Sequence, residues 1–565
     1  MSAAQQTVRR LIVYLLLFAL VVIAAIGLSG LLTRALDMSP VLVGSTAGGL
    51  ALSLAFTVIG GPLAAVLWWF LFRRLGDQAE RSALSWGLYI AGLYTAALVT
   101  AASELLALLA SLTEGRTQGW NGFLAIGLVW LAVWLWHRWM WRHPGKGPLR
   151  LPDVPAILGA AYGLVLGASM AAAALGGLLE QAVGTVTGAS TIAGTLEGVP
   201  WWRSVLASVI WAAGGALVWI WHWYGEGGRR LRTGLSDVAL VLVGIFGAGA
   251  ATLGGAGTAL FVVLRLLFDR GPEPLALLLE PLPPALAAAA AGGLVWAYHW
   301  PLVAVRGAAA RQAARLVTAG VAVVGAASGI GVIVNAVLSL ATPTLAGTNA
   351  LTLLLGGIAS LAVGGTVWWL VWKPTRALSE PVSVRPAGRR VYLVVIFGVS
   401  AVAALVTLLV IGYQVFQFAL SAGGGVSLVG RVRAPLGILV ATALAAGYHF
   451  AVWRHDRAAL SAVQGPRRTG GRVFLVTSLD PAPFARAIED ATGATVKVWR
   501  RAEAPAGAAP ASVRATLPPA GDGEHVAVPA PAPEDVARAL SGIVAKRVLV
   551  LVGPAERIEV VSLED

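Results

Sequence analysis

The stretch LIVYLLLFALVVIAAIGLSGLL at residues 11–32 contains no charged side chain. A helix needs about 20 apolar residues to cross the hydrocarbon core of a bilayer, which is about 30 Å thick. The apolar core of a cleavable signal peptide is shorter, at about 7–15 residues. The stretch therefore predicts a membrane-spanning helix close to the N-terminus.

The composition extends this reading to most of the chain. Of its 565 residues, 58% are hydrophobic and only 12% are charged, and the mean hydropathy is +0.78. Soluble domains carry about 25% charged residues. Lipid admits only helices and closed barrels, and barrels show short alternating segments where this chain has long unbroken runs. We predict an all-α polytopic membrane protein with about twelve helices, near residues 10–33, 49–72, 83–112, 120–141, 153–183, 201–225, 236–268, 284–304, 312–341, 350–372, 390–420 and 434–453.

The even-numbered runs share an aromatic cluster near their C-terminal ends. Self-similarity of this kind indicates a repeated structural unit. The sequence thus predicts six repeated two-helix hairpins, all entering the membrane from the same side. The clusters are Trp68-Trp69-Phe70, Trp134-Leu135-Trp136-His137, Trp219-Ile220-Trp221-His222, Trp296-Ala297-Tyr298-His299, Trp368-Trp369 and Tyr448-His449-Phe450.

The basic residues predict the orientation. Of the 29 lysines and arginines up to Arg457, 7 fall on the side opposite the termini and 22 on the terminal side. Short loops rich in Lys and Arg stay in the cytoplasm. We therefore expect a multi-pass protein of the cytoplasmic (inner) membrane with both termini in the cytoplasm. The net charge of +14 then fits membrane lipids as partners, through anionic headgroups, and predicts no nucleic-acid partner.

Four of the seven histidines occupy one equivalent place in the repeat: His137, His222, His299 and His449. Arrayed imidazoles can bind haem or a metal, or relay protons. They can also anchor helices at the inner interface, as tryptophan does. Two repeats have Leu71 and Val371 near this place, and this favours the anchoring role.

The odd-numbered helices carry polar residues towards their outer ends. Ionisable groups inside a span are costly, so each suggests a function and a partner. Glu104 or Glu180 with Arg265 is the first pair to consider, but these positions lie within about two turns of the outer interface, and this favours side chains that snorkel to it over a functional pair. The residues are Glu104, Glu180, Arg265, Asn335 and Gln414.

Several reaction classes lack their motifs. The chain has no cysteine, so thiolate nucleophiles and cysteine metal sites are excluded. It has no phosphate-binding G-x-x-x-x-G-K-[ST], no H-E-x-x-H and no nucleophile elbow. We predict no catalytic residues, no metal site and no cofactor, and nothing favours an enzyme.

After Arg457 the composition becomes that of a soluble chain. We expect a linker at 458–471 and a small α+β domain at 472–565, with a disordered Ala/Pro-rich loop at 502–533. Strands are predicted at 472–477, 495–499, 548–552 and 557–560, and helices follow Asp480 and begin at Pro533. The domain is expected to contact a cytosolic protein partner, and the alternative is a purely structural appendage.

Short motifs resemble a known family. Arg9-Arg10-Leu11-Ile12-Val13-Tyr14, Gly60-Gly61-Pro62-Leu63 before Trp68, and Arg390-Val391-Tyr392 resemble the bacterial multi-pass proteins classed as domain of unknown function 5671. The resemblance implies four-helix units, three of which would fill a transmembrane domain at 1–457, at about 9–142, 153–304 and 312–457. It implies no activity.

Three functions remain open from the sequence. The favoured one is a membrane scaffold or sensor with a cytoplasmic interaction domain. The second is a secondary transporter or permease for a hydrophobic or lipid-like substrate, because the middle of the membrane is almost wholly apolar. The third is a haem-binding redox protein that uses the repeated histidines.

Overall fold

A computed structural model describes most of the chain. The described residues are 3–37, 47–116, 118–188, 200–341, 349–376, 387–420, 427–463, 472–500, 531–540, 543, 547–553 and 558–563. The chain divides into two compact units. The first comprises Met1–Ser379 and Pro386–Phe450, and the second comprises Glu380–Arg385 and Ala451–Asp565.

Twelve helices in the described residues are long and apolar enough to cross a membrane. Each overlaps one of the runs predicted from the sequence, so the twelve predicted helices are confirmed, and their number and length are consistent with a multi-pass membrane protein. In chain order they are α1 (Ala4–Ala35), α2 (Ala47–Arg74), α3 (Leu84–Thr113), α4 (Trp120–Arg142), α5 (Val154–Thr187), α6 (Trp201–Gly225), α7 (Gly234–Phe268), α8 (Leu275–Ala304), α9 (Ala308–Ser339), α10 (Ala350–Lys373), α11 (Gly388–Leu420) and α12 (Leu428–Ala458).

The helices pack in one recurring pattern. Each of the first five even-numbered helices lies against the odd-numbered helix before it. From α4 to α10, each even-numbered helix also lies against the odd-numbered helix of the preceding pair, so that α4 contacts α1 and α6 contacts α3. Close contacts are made where small residues meet: a Cβ on Gly215 of α6 would lie 2.6 Å from the Cα of Gly167 on α5. Small residues let helix backbones approach in lipid, where apolar side chains gain little by meeting one another.

Helix α2 contains a π-helical turn at Phe56–Gly60. The turn directly precedes Gly61 and Pro62, with proline in the first turn of the α-helical segment that follows. Proline has no N–H to donate and its ring crowds the carbonyl four residues earlier, which explains why the helix widens here. The turn packs on α1, since a Cβ on Gly60 would lie 2.9 Å from Ile23.

The second unit contains a four-stranded sheet of order β2-β1-β3-β4. Its strands are β1 (Arg472–Thr477), β2 (Thr495–Arg500), β3 (Arg547–Val552) and β4 (Ile558–Leu563). Strand β1 pairs in parallel with β2 and β3, and β4 is antiparallel to β3. Helices α13 (Pro481–Thr492) and α14 (Pro533–Ala539) supply Phe484, Ile488 and Val536 to a core shared with Val473 and Val548.

All four predicted strands and both helices of this unit are present. Asp480 caps α13 and Gly493 ends it, as predicted. Helix α14 ends at Ala539. The helix of span α12 continues to Val463, into the segment expected to be linker. The rest of that linker and residues 502–530 of the predicted disordered loop lie outside the described residues.

Candidate functional site

The four repeated histidines are buried and make the same backbone contact. In each, Nδ1 lies 2.7 Å from the carbonyl oxygen of the residue four positions earlier in its helix. Relative exposure is at most 2% for every one of them. A carbonyl oxygen only accepts hydrogen bonds, so Nδ1 carries the proton and donates it. The other ring nitrogen, Nε2, is therefore the acceptor of a neutral imidazole.

Three of these acceptors meet a tyrosine hydroxyl. Tyr89 reaches His137 with an O···N distance of 3.1 Å, and Tyr94 reaches His222 at 2.8 Å. Tyr392 lies 3.5 Å from His449. Each phenol donates its proton to Nε2, so the imidazole is held from both sides. The links join α3 to α4, α3 to α6 and α11 to α12.

The fourth histidine differs. His299 packs against the rings of Trp219 and Trp223, and no tyrosine hydroxyl meets its Nε2 among the described residues. It lines a small cavity of about 30 Å³ together with Ser236 and Gly244. A buried water molecule needs about 10–15 Å³ of such space, so the cavity is large enough to hold one. The predicted equivalence of the four histidines therefore holds for their position and backbone bond, and not for their second partner.

A groove of about 490 Å³ lies beside the Tyr89–His137 pair. Its walls come from α1, α2 and α4, with Tyr89 from α3. Ligand pockets in proteins range over about 300–1,000 Å³, so the groove is large enough for a small molecule. It is lined by Val21, Ala24, Ala25, Leu28, Leu32, Ala64, Ala65, Trp68, Tyr89, Leu128, Val129, Ala132, Val133, Trp136 and His137.

The groove has an apolar body and one polar end. Leu28, Leu128 and Trp136 are exposed at its mouth, whereas Tyr89 and His137 are buried. None of the lining residues carries a charge. Val21 and Leu32 are separated by about 16 Å along α1 at 1.5 Å per residue, which is about half the hydrocarbon thickness. The groove thus has the length of one leaflet.

The polar residues predicted to lie inside the membrane are not brought together. Arg265 bonds Glu273 at 2.5 Å and lies 3.8 Å from Asp269. Arg265 is thus paired with acidic residues just beyond its own helix, and not with Glu104 or Glu180, the pair first considered from the sequence. Glu180 is exposed and Glu104 is half-buried.

The other two polar residues, Asn335 and Gln414, are not paired with Glu104, Glu180 or Arg265 in the described structure. Asn335 on α9 has a buried Oδ1 that accepts no hydrogen bond there. Gln414 is half-buried on α11. A cleft of about 690 Å³ is lined by Glu114, Arg116 and Gln118, and neither Glu104 nor Glu180 lines it.

Sequence reasoning missed a buried carboxylate, Glu226, just after α6. Its Oε1 accepts from Arg138 Nε at 2.7 Å and from Trp221 at 3.1 Å, and its Oε2 accepts from Arg142 Nε at 2.8 Å. Burial raises the pKa of this carboxyl group, but the hydrogen bonds from Arg138 and Arg142 outweigh it, so the pKa lies below its usual value. The ion pairs fix the end of α4 to the loop after α6.

The comparisons with known proteins bear on two regions. Residues 10–120 and 311–444 match the family model described as Domain of unknown function (DUF5671). The resemblance expected from the short motifs is thus confirmed for these two regions, while the expected middle unit at 153–304 lies outside them. No curated protein and no solved structure matches the chain.

The two DUF5671 regions share an arrangement of side chains. In the first, the rings of Trp68 and His137 are 6.0 Å apart, and Tyr89 bonds that histidine. In the second, Trp372 and His449 are also 6.0 Å apart, with Tyr392 beside them. In both cases the tryptophan and tyrosine lie inside the matched region and the histidine follows its end.

The described residues contain no group of three or more histidine, aspartate or glutamate side chains placed to hold a metal ion.

The tyrosines were the main omission of the sequence reasoning. Tyr89 and Tyr392 lie in the second turn of an odd-numbered helix, and Tyr94 lies five residues further along α3 than Tyr89. A tyrosine in the first half of an odd-numbered helix is a signal that could have marked them as candidates, but it does not indicate which histidine each one reaches.

Proposed function

We propose that this protein is a membrane sensor that binds a neutral, lipid-phase molecule in the groove between α1, α2 and α4. The observation that carries the proposal is the groove itself: an apolar channel one leaflet long that ends on the Tyr89–His137 pair. A molecule dissolved in the bilayer can enter through the exposed mouth without crossing water. The unit at 472–565 is proposed to pass the bound state to a cytosolic protein partner.

The proposed setting is the cytoplasmic membrane of a bacterium, with both termini in the cytoplasm. The support is the excess of Lys and Arg on one side of the predicted topology. We also propose that the membrane part at 1–457 arose from six repeated hairpins. The recurring helix contacts and the similar Trp–Tyr–His clusters of the two DUF5671 regions support this history.

Transport of a lipid-like substrate is the second candidate, since the same groove would serve as its binding site. It is less well supported, because the 690 Å³ cleft is lined by residues of α3, α4, α6 and the loop between α3 and α4, and shares none of its lining with the groove. A haem-binding role is also less well supported. His137, His222 and His449 already use both ring nitrogens in hydrogen bonds, so iron ligation would have to displace a tyrosine from each.

The test is photolabelling of the full-length protein in lipid nanodiscs with a long-chain aliphatic diazirine. We expect saturable labelling of peptides from α1, α2 and α4. The Ala65→Phe variant places a bulky ring on the groove wall and should reduce this labelling about tenfold, because the groove is then filled.

Val66→Phe is the matched control. Val66 is the next residue of α2 and is 54% exposed, but it does not line the groove. Labelling should stay at the wild-type level in this variant. Labelling that is spread evenly over the lipid-facing helices, and that Ala65→Phe leaves unchanged, would contradict the proposal.

A further inference from the structure

The proton positions at the polar end of the groove restrict what can bind there. His137 Nδ1 donates to the Val133 carbonyl at 2.7 Å, and its Nε2 accepts from Tyr89 at 3.1 Å. His137 has a relative exposure of 2%, and no carboxylate lines the groove, so a charged imidazolium would be buried without a counter-ion. The neutral imidazole therefore accepts a hydrogen bond from the only hydroxyl proton of Tyr89, and that proton is not available to a ligand.

The phenol oxygen of Tyr89 can then only accept. A tyrosine hydroxyl has one donor hydrogen and two acceptor lone pairs, and the donor is used by His137. No described residue donates a hydrogen bond to this oxygen. A ligand that satisfies it must bring its own hydrogen-bond donor.

The rest of the groove restricts the ligand further. Its polar side chains are Trp68, Tyr89, Trp136 and His137, and the remaining lining residues are Ala, Val and Leu. A phosphate, carboxylate or ammonium head would be desolvated here without an opposite charge, which is strongly unfavourable. A neutral donor head on an aliphatic body fits the site.

We infer that the ligand is a lipid-phase alcohol, whose aliphatic chain fills the groove and whose hydroxyl group donates a hydrogen bond to the Tyr89 oxygen. This inference rests on the proposed function. It separates the ligand from quinones, esters and ethers of similar shape, which only accept hydrogen bonds and could at most use the indole N–H groups of Trp68 or Trp136.

The test compares three competitors of equal chain length against the aliphatic diazirine in nanodiscs: hexadecanol, methyl hexadecyl ether and hexadecane. Hexadecanol should displace the probe at a concentration about tenfold lower than the ether does, the ratio expected for about one net hydrogen bond. In Tyr89→Phe the two should compete within about twofold of each other. Saturable labelling of that variant would show that its groove is intact.

The comparison of hexadecanol with the ether on the wild-type protein tests the inference even if Tyr89→Phe does not fold. Equal competition by hexadecanol and the ether, with labelling still saturable, would overturn the alcohol and leave groove binding standing. Labelling that no competitor displaces would overturn both the alcohol and the proposed function.

Discussion

At the scale of single residues, the tyrosine–histidine bonds join helices at buried sites. Hydrocarbon offers no replacement partner for a broken hydrogen bond, so an imidazole nitrogen left alone there carries its full desolvation cost. The link between Tyr94 and His222 joins residues 128 positions apart in the chain. It ties α3 to α6 and so fixes one pair of helices to the next.

Removing one hydroxyl tests this role. Tyr94→Phe should destabilise the protein by about 1–3 kcal/mol, because His222 Nε2 loses its donor while it remains buried. Thermal unfolding in detergent measures the change. Tyr413→Phe is the control, since Tyr413 is 63% exposed on α11, and it should unfold at the wild-type temperature. Equal unfolding temperatures for the two variants would show that the bond contributes nothing.

Glu226 supplies a prediction that depends on pH. Its hydrogen bonds with Arg138 and Arg142 hold its pKa below the usual value. The stabilisation should therefore be fully present above about pH 4.3, the ordinary pKa of glutamate, and should be lost as the pH falls through the lowered pKa. Glu226→Gln should cost about 1–2 kcal/mol at pH 7, because both arginines are part-solvated and the pairs are screened.

The control for Glu226 is Glu114→Gln. Glu114 pairs with Arg116, whose side chain is 71% exposed, and exposed pairs contribute about 0–1 kcal/mol. Unfolding temperatures measured from pH 7 down to the lowest pH at which the protein stays folded compare the two variants. A Glu226→Gln protein that differs from wild type by the same amount over this whole range would refute the assignment.

The residue scale is also where the sequence was least informative. The shared place of His137, His222, His299 and His449 was readable from the aromatic clusters that recur near the C-terminal ends of the even-numbered helices. The partners were not, because Tyr89 and Tyr94 reach different helices although they lie on the same one. The choice depends on how helices rotate and cross, which side-chain packing decides.

At the scale of helices, glycine sets how closely neighbours approach. A Cβ on Gly292 of α8 would lie 2.7 Å from the Ala248 carbonyl oxygen of α7, which is too close for any real contact. The adjacent Gly293 has nothing within 4 Å of the same position. The two residues form a matched pair on one helix.

We expect Gly292→Ala to destabilise the protein by about 1–3 kcal/mol, because the α7 and α8 backbones must move apart. Gly293→Ala should be neutral or stabilising by up to about 1 kcal/mol, since alanine is the better helix former. Unfolding temperatures in detergent again provide the comparison. Equal losses in both variants would mean that general helix effects, and not close packing, set the result.

Helix number and extent could be predicted from the sequence because hydrocarbon thickness fixes the length of an apolar run. The local irregularities could not. The π-helical stretch Leu240–Gly247 in α7 contains no proline, and it packs Gly244 against the His299 ring. This irregularity depends on a side chain of another helix, so the local sequence pattern does not predict it.

At the scale of the whole molecule, the prediction to test is which side of the membrane each loop faces. The natural sequence has no cysteine, so single cysteines can be introduced without a background. Arg230→Cys, in the loop after α6, should react with a membrane-impermeant maleimide only in inverted vesicles. Pro272→Cys, between α7 and α8, should react in intact cells. The reverse pattern would invert the topology and place the Trp–Tyr–His clusters at the outer face.

The most direct measurement of the central claim is a cryo-electron microscopy map of the full-length protein in nanodiscs of its native lipids. The account predicts one elongated non-protein density between α1, α2 and α4, with its inner end in hydrogen-bonding contact with the Tyr89 oxygen. A groove filled by protein side chains, or density no more ordered there than around the other lipid-facing helices, would contradict it.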